Sequence, residues 1–252
     1  MYGQHNWVSV ISSVNKITQS NILESLTLKS GGFLCLYVFI RMKQILLIAG
    51  LLFSLAVNSQ DTVRLKHQEY TSVYSKSLKY PVLVEWWVTK AKVTCPTPLP
   101  RKDQFAPDPL LRDETDIAKD YVGSVTDRGH MSPAADNQCS GPEAMKESFY
   151  FSNMAPQYHS LNAGDWKSLE TLTRTLAAQQ DSIKVWSGNV GVAKRVGRVA
   201  VPTICWKVIY IKKSKEYMAY IFDNNSTKPD GLNNNKVTLD DVKKLTHFDF
   251  KL

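Results

Sequence analysis

Two neighbouring stretches decide how this chain reads. The first is Thr126-Asp127-Arg128-Gly129-His130-Met131. The second is Phe149-Tyr150-Phe151-Ser152-Asn153-Met154-Ala155-Pro156-Gln157, continuing through Leu161-Asn162, Trp166, Leu169-Glu170 and Arg174. In under fifty residues they gather an imidazole, two arginines, carboxylates and amides. An extended reading of the first puts Arg128 and His130 on one face, two residues apart, and Pro133 ends regular structure just beyond. Phe149-Tyr150-Phe151 is an apolar run that reads as the second strand. After Asn162 the period changes. Trp166, Leu169, Leu172 and Leu176 recur at the three- and four-residue intervals of an amphipathic helix. Glu170 and Arg174, four apart, share a face of it.

The flanks read as alternating strands and loops. Tyr80 to Thr94, rich in Val and Trp, predicts one or two strands. Cys95 to Leu111 carries five prolines and reads as loop. Asp113 to Tyr121 suits a short helical turn, and Gly141-Pro142-Glu143 a turn and helix start. Further on, Ile183 to Gly188 predicts a strand with Trp186 buried. Pro202 to Lys212 and Glu216 to Phe222 suit a hairpin around Lys213-Ser214-Lys215, followed by a polar loop from Asp223 to Asn235. Thr238-Leu239-Asp240-Asp241 looks like the N-cap and first turn of a terminal helix. Strands with a few helices interposed, no internal repeat and no second boundary predict one α+β domain on antiparallel sheet.

Composition excludes a disordered chain, at 43% hydrophobic and 21% charged residues. Formal charge is +8, of which residues 61–252 carry +5. That excess favours polyanionic partners without singling one out.

Residues 33–57 form an apolar run broken by Arg41 and Lys43. One spanning helix would bury both charges, at roughly 2.5–3.5 kcal/mol each. Starting at Met42 gives a better parse. Met42-Lys43-Gln44 is then a positive n-region, Ile45 to Val57 an apolar h-region of thirteen residues, and Val57-Asn58-Ser59 a cleavage site. The expectation is a signal peptide over 42–59, an upstream extension over 1–41, and a mature domain over 60–252. The protein would be exported, periplasmic or extracellular, without stable membrane association after cleavage; an uncleaved N-terminal anchor is the alternative. The residues leave the pairing among Cys95, Cys139 and Cys205 open. Polar, turn-like surroundings favour Cys95 with Cys139, whereas Cys205 in an apolar run suits a buried thiol.

An imidazole near neutral pKa suits deprotonation of water, and His130 is the candidate. His5, His67, His159 and His247 lack comparable neighbours and read as structural, with His159 the one rival by position. Arg128 and Arg174 offer planar charged forks for phosphate oxygens. Arg174 could equally be an exposed partner of Glu170. Asp127 could tune the site or be a turn carboxylate, and Asn162 could equally be a helix N-cap.

The order of these motifs resembles the sugar-non-specific DNA/RNA endonucleases, the ββα-metal family that includes endonuclease G. The resemblance runs from about Tyr80 to Phe250, with Thr126 standing where some members carry an aromatic. It implies an α+β, ββα-metal nuclease fold on a mainly antiparallel sheet with flanking helices. It implies a Mg²⁺-dependent endonuclease (Mn²⁺ or another divalent ion being the alternative) that cuts DNA and RNA to 5′-phosphate ends. His130 would be the general base and Asn162 the metal ligand, with Glu170 holding the metal's waters. Arg128 and Arg174 would meet phosphate, and Arg101, in a stretch with Phe105 and Asp108-Pro109, a further phosphate. Asn153 and Gln157 match the family's supporting amides. A non-catalytic nucleic-acid-binding protein on the same fold, and a phosphodiesterase for another substrate, are the alternatives. Homodimerisation and a protein inhibitor are left open.

Overall fold

The computed structural model describes residues 61–252. The expected signal peptide and upstream extension therefore lie outside the described residues. Among the described residues no helix is long and apolar enough to cross a membrane.

Among the described residues the strands are β1 Thr62–Lys66, β2 Tyr70–Ser75, β3 Tyr80–Thr89, β4 Thr126–His130, β5 Met154–Tyr158, β6 Ser182–Val190, β7 Lys194–Val196, β8 Val199–Val201, β9 Ile204–Ile211, β10 Glu216–Asp223 and β11 Lys236–Val237. Seven form one sheet in the order β1-β2-β3-β6-β9-β10-β11, and every pairing in it is antiparallel. The principal helices are α1 Pro142–Glu147, α2 Lys167–Gln180 and α3 Leu239–Thr246.

Strand alternation sorts the core into two layers. In β9, Cys205, Ile209 and Ile211 join Leu169 and Ala177 of α2 on one face. Trp206, Val208 and Tyr210 join Val242 of α3 and Phe250 on the other. With both faces covered, the strand reads as a continuous apolar run apart from Lys207. The helix α3 is started by a capping box between Thr238 and Asp241, an arrangement that stabilises by about 1 kcal/mol.

The α+β architecture predicted from sequence is present, and β4, β5 and α2 make its ββα unit. Three local expectations are corrected. Tyr80 to Thr94 is one strand that stops at Thr89, where Lys90–Val93 turns helical. The second strand of the unit is not Phe149-Tyr150-Phe151 but β5, which pairs His130 with Met154 and Thr126 with Tyr158. Phe151–Asn153 is instead a tight helical turn. The Asn153 side chain bonds to the backbone of Ser132 and Ser148 and so competes with a strand ladder, while the Ser152 hydroxyl donates to the Asp108 carboxylate. Asn162 is not an N-cap, because helical backbone begins before it, at His159.

Cys95 and Cys139 are joined by a disulfide, their Cα atoms 5.8 Å apart, and Cys205 is a buried free thiol. The bridge ties the proline-rich loop to the turn before α1. Closing a loop of this length stabilises by about 4 kcal/mol in the chain-entropy model.

Candidate active site

His130 ends β4, and its position is over-determined. Its carbonyl accepts from the Trp166 indole N–H at 3.0 Å. The next residue, Met131, donates its N–H to the Asn153 carbonyl at 2.9 Å. The ring lies edge-on to Phe149 at 5.0 Å between centroids and tilts against Phe105 at 5.8 Å. Burial, then the positive field of Arg101, pushes the imidazole pKa down to about 3; Asp103 opposes this and Arg128 adds to it. The ring is therefore neutral at physiological pH, and a weaker base than the near-neutral imidazole expected from sequence. Its buried Nε2 has no hydrogen-bond partner in the protein, so the side chain is not used as a structural donor there.

Gly129 allows the close approach of β5. A Cβ there would meet the Gln157 side-chain oxygen at 2.0 Å. Gln157 is fully buried, yet neither amide atom has a hydrogen-bond partner; it fills the space beneath the glycine rather than gripping a loop. Asn153 does grip one. Its Oδ1 accepts from the Ser132 N–H at 2.9 Å, and its Nδ2 donates to the carbonyls of Ser132 and Ser148 at 2.8 Å each.

Asp127 is the partner of Asn162. Its Oδ2 accepts from Asn162 Nδ2 at 2.9 Å and lies 2.8 Å from His159 Nδ1. His159 is thus part of the site's surroundings, contrary to the reading that it lacks relevant neighbours. Asn162 opens a wide π turn through Trp166, with Gly164 at φ −97°, ψ −111° inside it. Such turns recur where a helix must re-aim a side chain. With the amide nitrogen tied to Asp127, Asn162 keeps its Oδ1 as a free acceptor. Among the described residues no group of three or more His, Cys, Asp or Glu gathers as a metal cage. A single well-oriented amide oxygen suits an ion such as Mg²⁺, which retains most of its own waters.

Asp127, Arg128 and Asn162 line one cleft of about 390 Å³ together with Arg101, Phe105 and Tyr121. The Arg128 guanidinium lies 4.0 Å from the centroid of Phe105. Arg101 lies over Phe149 at 5.4 Å and pairs with Asp103 at 2.6 Å. His130 is packed against Phe105, a wall residue of this cleft. Glu170 and Arg174 are half-buried on α2 and do not line this cleft; they lie beside the buried Asp136 in a charge cluster that sequence reasoning missed in part. Arg174 pairs with Asp136 at 3.3 Å instead of serving Glu170 at the surface. Asp136 also accepts from the Trp86 indole at 2.9 Å. Burial raises the pKa of Glu170 and of Asp136, opposed by Lys207 and Arg174. The sequence signal for Lys207 was present, a lone charge in an otherwise apolar strand, but its partners are distant in the chain. His67, paired with Asp108 at 2.8 Å, is a buried structural histidine.

Residues 50–252 match the family model described as DNA/RNA non-specific endonuclease. A nuclease of Serratia marcescens is 29% identical over 203 residues, covering 74% of each chain. The mitochondrial nuclease EXOG of Xenopus laevis is 34% identical over 164 residues, 57% of this chain and 46% of that protein. The match thus spans less than half the length of that mitochondrial relative. A solved structure, that of an EndoG/EndoGI complex bearing on EndoG inhibition, aligns with a TM-score of 0.65 at 26% identity, over 74% of this chain and 84% of that one. The chain belongs to the DNA/RNA non-specific endonuclease family.

Proposed function

We propose that the protein is an exported, divalent-metal-dependent endonuclease that hydrolyses phosphodiester bonds of DNA and RNA with little sequence preference. The observation that carries the reading is the unpartnered Nε2 of His130, on a ring packed against Phe105 of a cleft that holds two arginines and the amide of Asn162. His130, uncharged at neutral pH, takes the proton of the attacking water. Arg128 and Arg101 draw phosphate oxygens into the cleft they line, while Arg174 and Glu170 take the roles the resemblance implies, at phosphate and at the metal's waters. When bound at Asn162, a divalent ion, with Mg²⁺ the first choice, supplies positive charge to the phosphate and help for the leaving 3′ oxygen. Contacts through phosphate explain weak sequence preference and predict inhibition by salt. The disulfide supports export to the periplasm or outside the cell. The solved complex of EndoG with an inhibitor makes a protein inhibitor for this chain a reasonable target of search.

Plasmid nicking by the purified domain, with and without chelator, tests the reading. Cleavage should stop on metal removal and return with Mg²⁺. The His130→Ala protein should bind DNA but not cut it. Undiminished cutting by that variant would remove His130 as the base, and no cutting by the native chain under any metal would remove the nuclease reading.

A further inference from the structure

Lys194-Arg195-Val196-Gly197-Arg198 puts three cations and no carboxylate into five residues, and all three cations are exposed. They sit on the two-stranded hairpin of β7 and β8, which has no part in the chemistry described so far. Two of the three brace the hairpin. Arg195 Nη1 donates to the Arg198 carbonyl at 2.6 Å, and both Arg195 Nη atoms reach the Ser77 carbonyl at 3.3 Å. Arg198 clasps Asp120. Its backbone N–H donates to Oδ1 and its Nη2 to Oδ2, each at 2.8 Å. Gly197, at φ +56°, leaves room for that carboxylate, since a Cβ there would meet Asp120 Oδ1 at 2.1 Å.

The clasp fixes the hairpin to the wall of the candidate cleft. Asp120 lies in the tight turn Ala118–Tyr121, and Ala118 and Tyr121 both line that cleft. Val199 of β8 shares a small core with Tyr121, with Val196 of β7 packed against it. Lys194 is the cation left to face outward. Among the described residues no carboxylate pairs with it, and its Nζ stands 4.9 Å from the ring centroid of Tyr158. Tyr158 is directly opposite Thr126 in the β4–β5 pair, and opposed residues of an antiparallel pair point to the same face. Arg128, two residues along β4, shares that face, and Thr126 and Arg128 line the cleft. Arg128 and Lys194 are therefore exposed cations on one face of the ribbon that carries His130.

We propose that Lys194, held by this hairpin, extends the phosphate-binding face of the cleft and contacts the sugar–phosphate backbone of the substrate strand outside the scissile linkage. The choice of substrate rests on the nuclease reading above; DNA and RNA share the phosphate that Lys194 meets. A polymer, unlike a small diester, reaches past the cleft. A compact charge on a flexible stem suits a phosphate held in no fixed register.

Lys194→Glu is compared with Lys244→Glu, which makes the same change of net charge at an exposed site on α3. That helix covers the face of the large sheet opposite α2 and the β4–β5 unit. Binding of a labelled DNA duplex and a labelled RNA strand, each long enough to leave the cleft on both sides, is read by fluorescence anisotropy. Chelator is present, so cleavage plays no part. Lys194→Glu should raise Kd about fivefold or more and make the duplex slope of log K against log salt shallower by about 0.9. Lys244→Glu should stay within about twofold of the native chain. Lys194→Gln, which loses the charge without reversing it, should show the same shallower slope with a smaller loss, and it is the deciding variant if Lys194→Glu does not fold. Equal losses in the two reversals, or a native slope in both Lys194 variants, would overturn the inference. Native DNA and RNA binding in the Lys194 variants would overturn it too, and is the result expected of a hairpin that serves an acidic protein instead. The nuclease reading is judged apart from this. A native chain that binds through Lys194 and cuts nothing keeps the contact and loses that reading, and one that cuts while Lys194→Glu binds as the native chain does the reverse.

Discussion

The indole N–H of Trp166 donates to the carbonyl of His130 at 3.0 Å. This one bond ties the start of the long helix to the end of the strand that carries the imidazole. It makes the geometry of the His130 imidazole a property of helix packing, because Trp166 is itself 1% exposed.

Trp166→Phe keeps an aromatic ring and loses the donor, leaving a buried carbonyl unpaired. Unfolding free energy should drop by about 1–3 kcal/mol, with kcat reduced several-fold and KM for DNA little changed. Urea melts and steady-state cleavage check it; a variant as stable and active as the native chain would show that the bond does not position His130.

The depressed pKa of His130 has a pH consequence. The ordinary value is 6.5 and burial pushes the folded value down to about 3, so the unfolded chain binds the extra proton between these limits. The stability associated with the neutral ring is fully present above pH 6.5 and declines, by about 1.4 kcal/mol per pH unit at most, as pH falls toward 3. His130→Phe should therefore flatten the acid side of the stability profile. Parallel profiles for the two proteins between pH 6.5 and 4 would contradict the assignment.

Gly129→Ala should destabilise by about 1–3 kcal/mol through overpacking, since its Cβ would meet the Gln157 side chain. Gln157→Ala in the same chain should restore part of that loss, because it vacates the space and removes an amide with no hydrogen-bond partner. A double-mutant cycle in urea reads the coupling; additive losses would place the strain elsewhere.

Asp127 on β4 fixes the amide of Asn162. Asp127→Ala should leave the oxygen present but free to turn, raising the Mg²⁺ concentration for half activity about 10- to 100-fold. Asn162→Ala should raise it further. Titrating Mg²⁺ against cleavage tests this. An unchanged midpoint in Asn162→Ala would exclude that residue from metal binding.

Much of the fold was legible before any coordinates. The helix through Trp166, Leu169, Leu172 and Leu176, the hairpin around Lys213-Ser214-Lys215 and the cap at Thr238 each follow from spacing or local hydrogen bonding within a few residues. The strand placed at Phe149-Tyr150-Phe151 failed because hydrophobicity marks burial, not extension. These residues are buried, but Asn153 draws the chain into a turn by bonding to Ser132 and Ser148.

The sequence by itself determined the α+β class, the family and the residue types that gather near the site, because these are written in local period and motif order. Only the tertiary structure decided what those residues face. It gave Arg174 to Asp136, set His159 beside Asp127, tied Asn162 to Asp127 and placed Lys207 over the Trp166 ring. Each of these pairs is separated by more than thirty residues in sequence. Burial and electrostatic pairing at such separations depend on how strands and helices pack, and no local pattern in the chain encodes that.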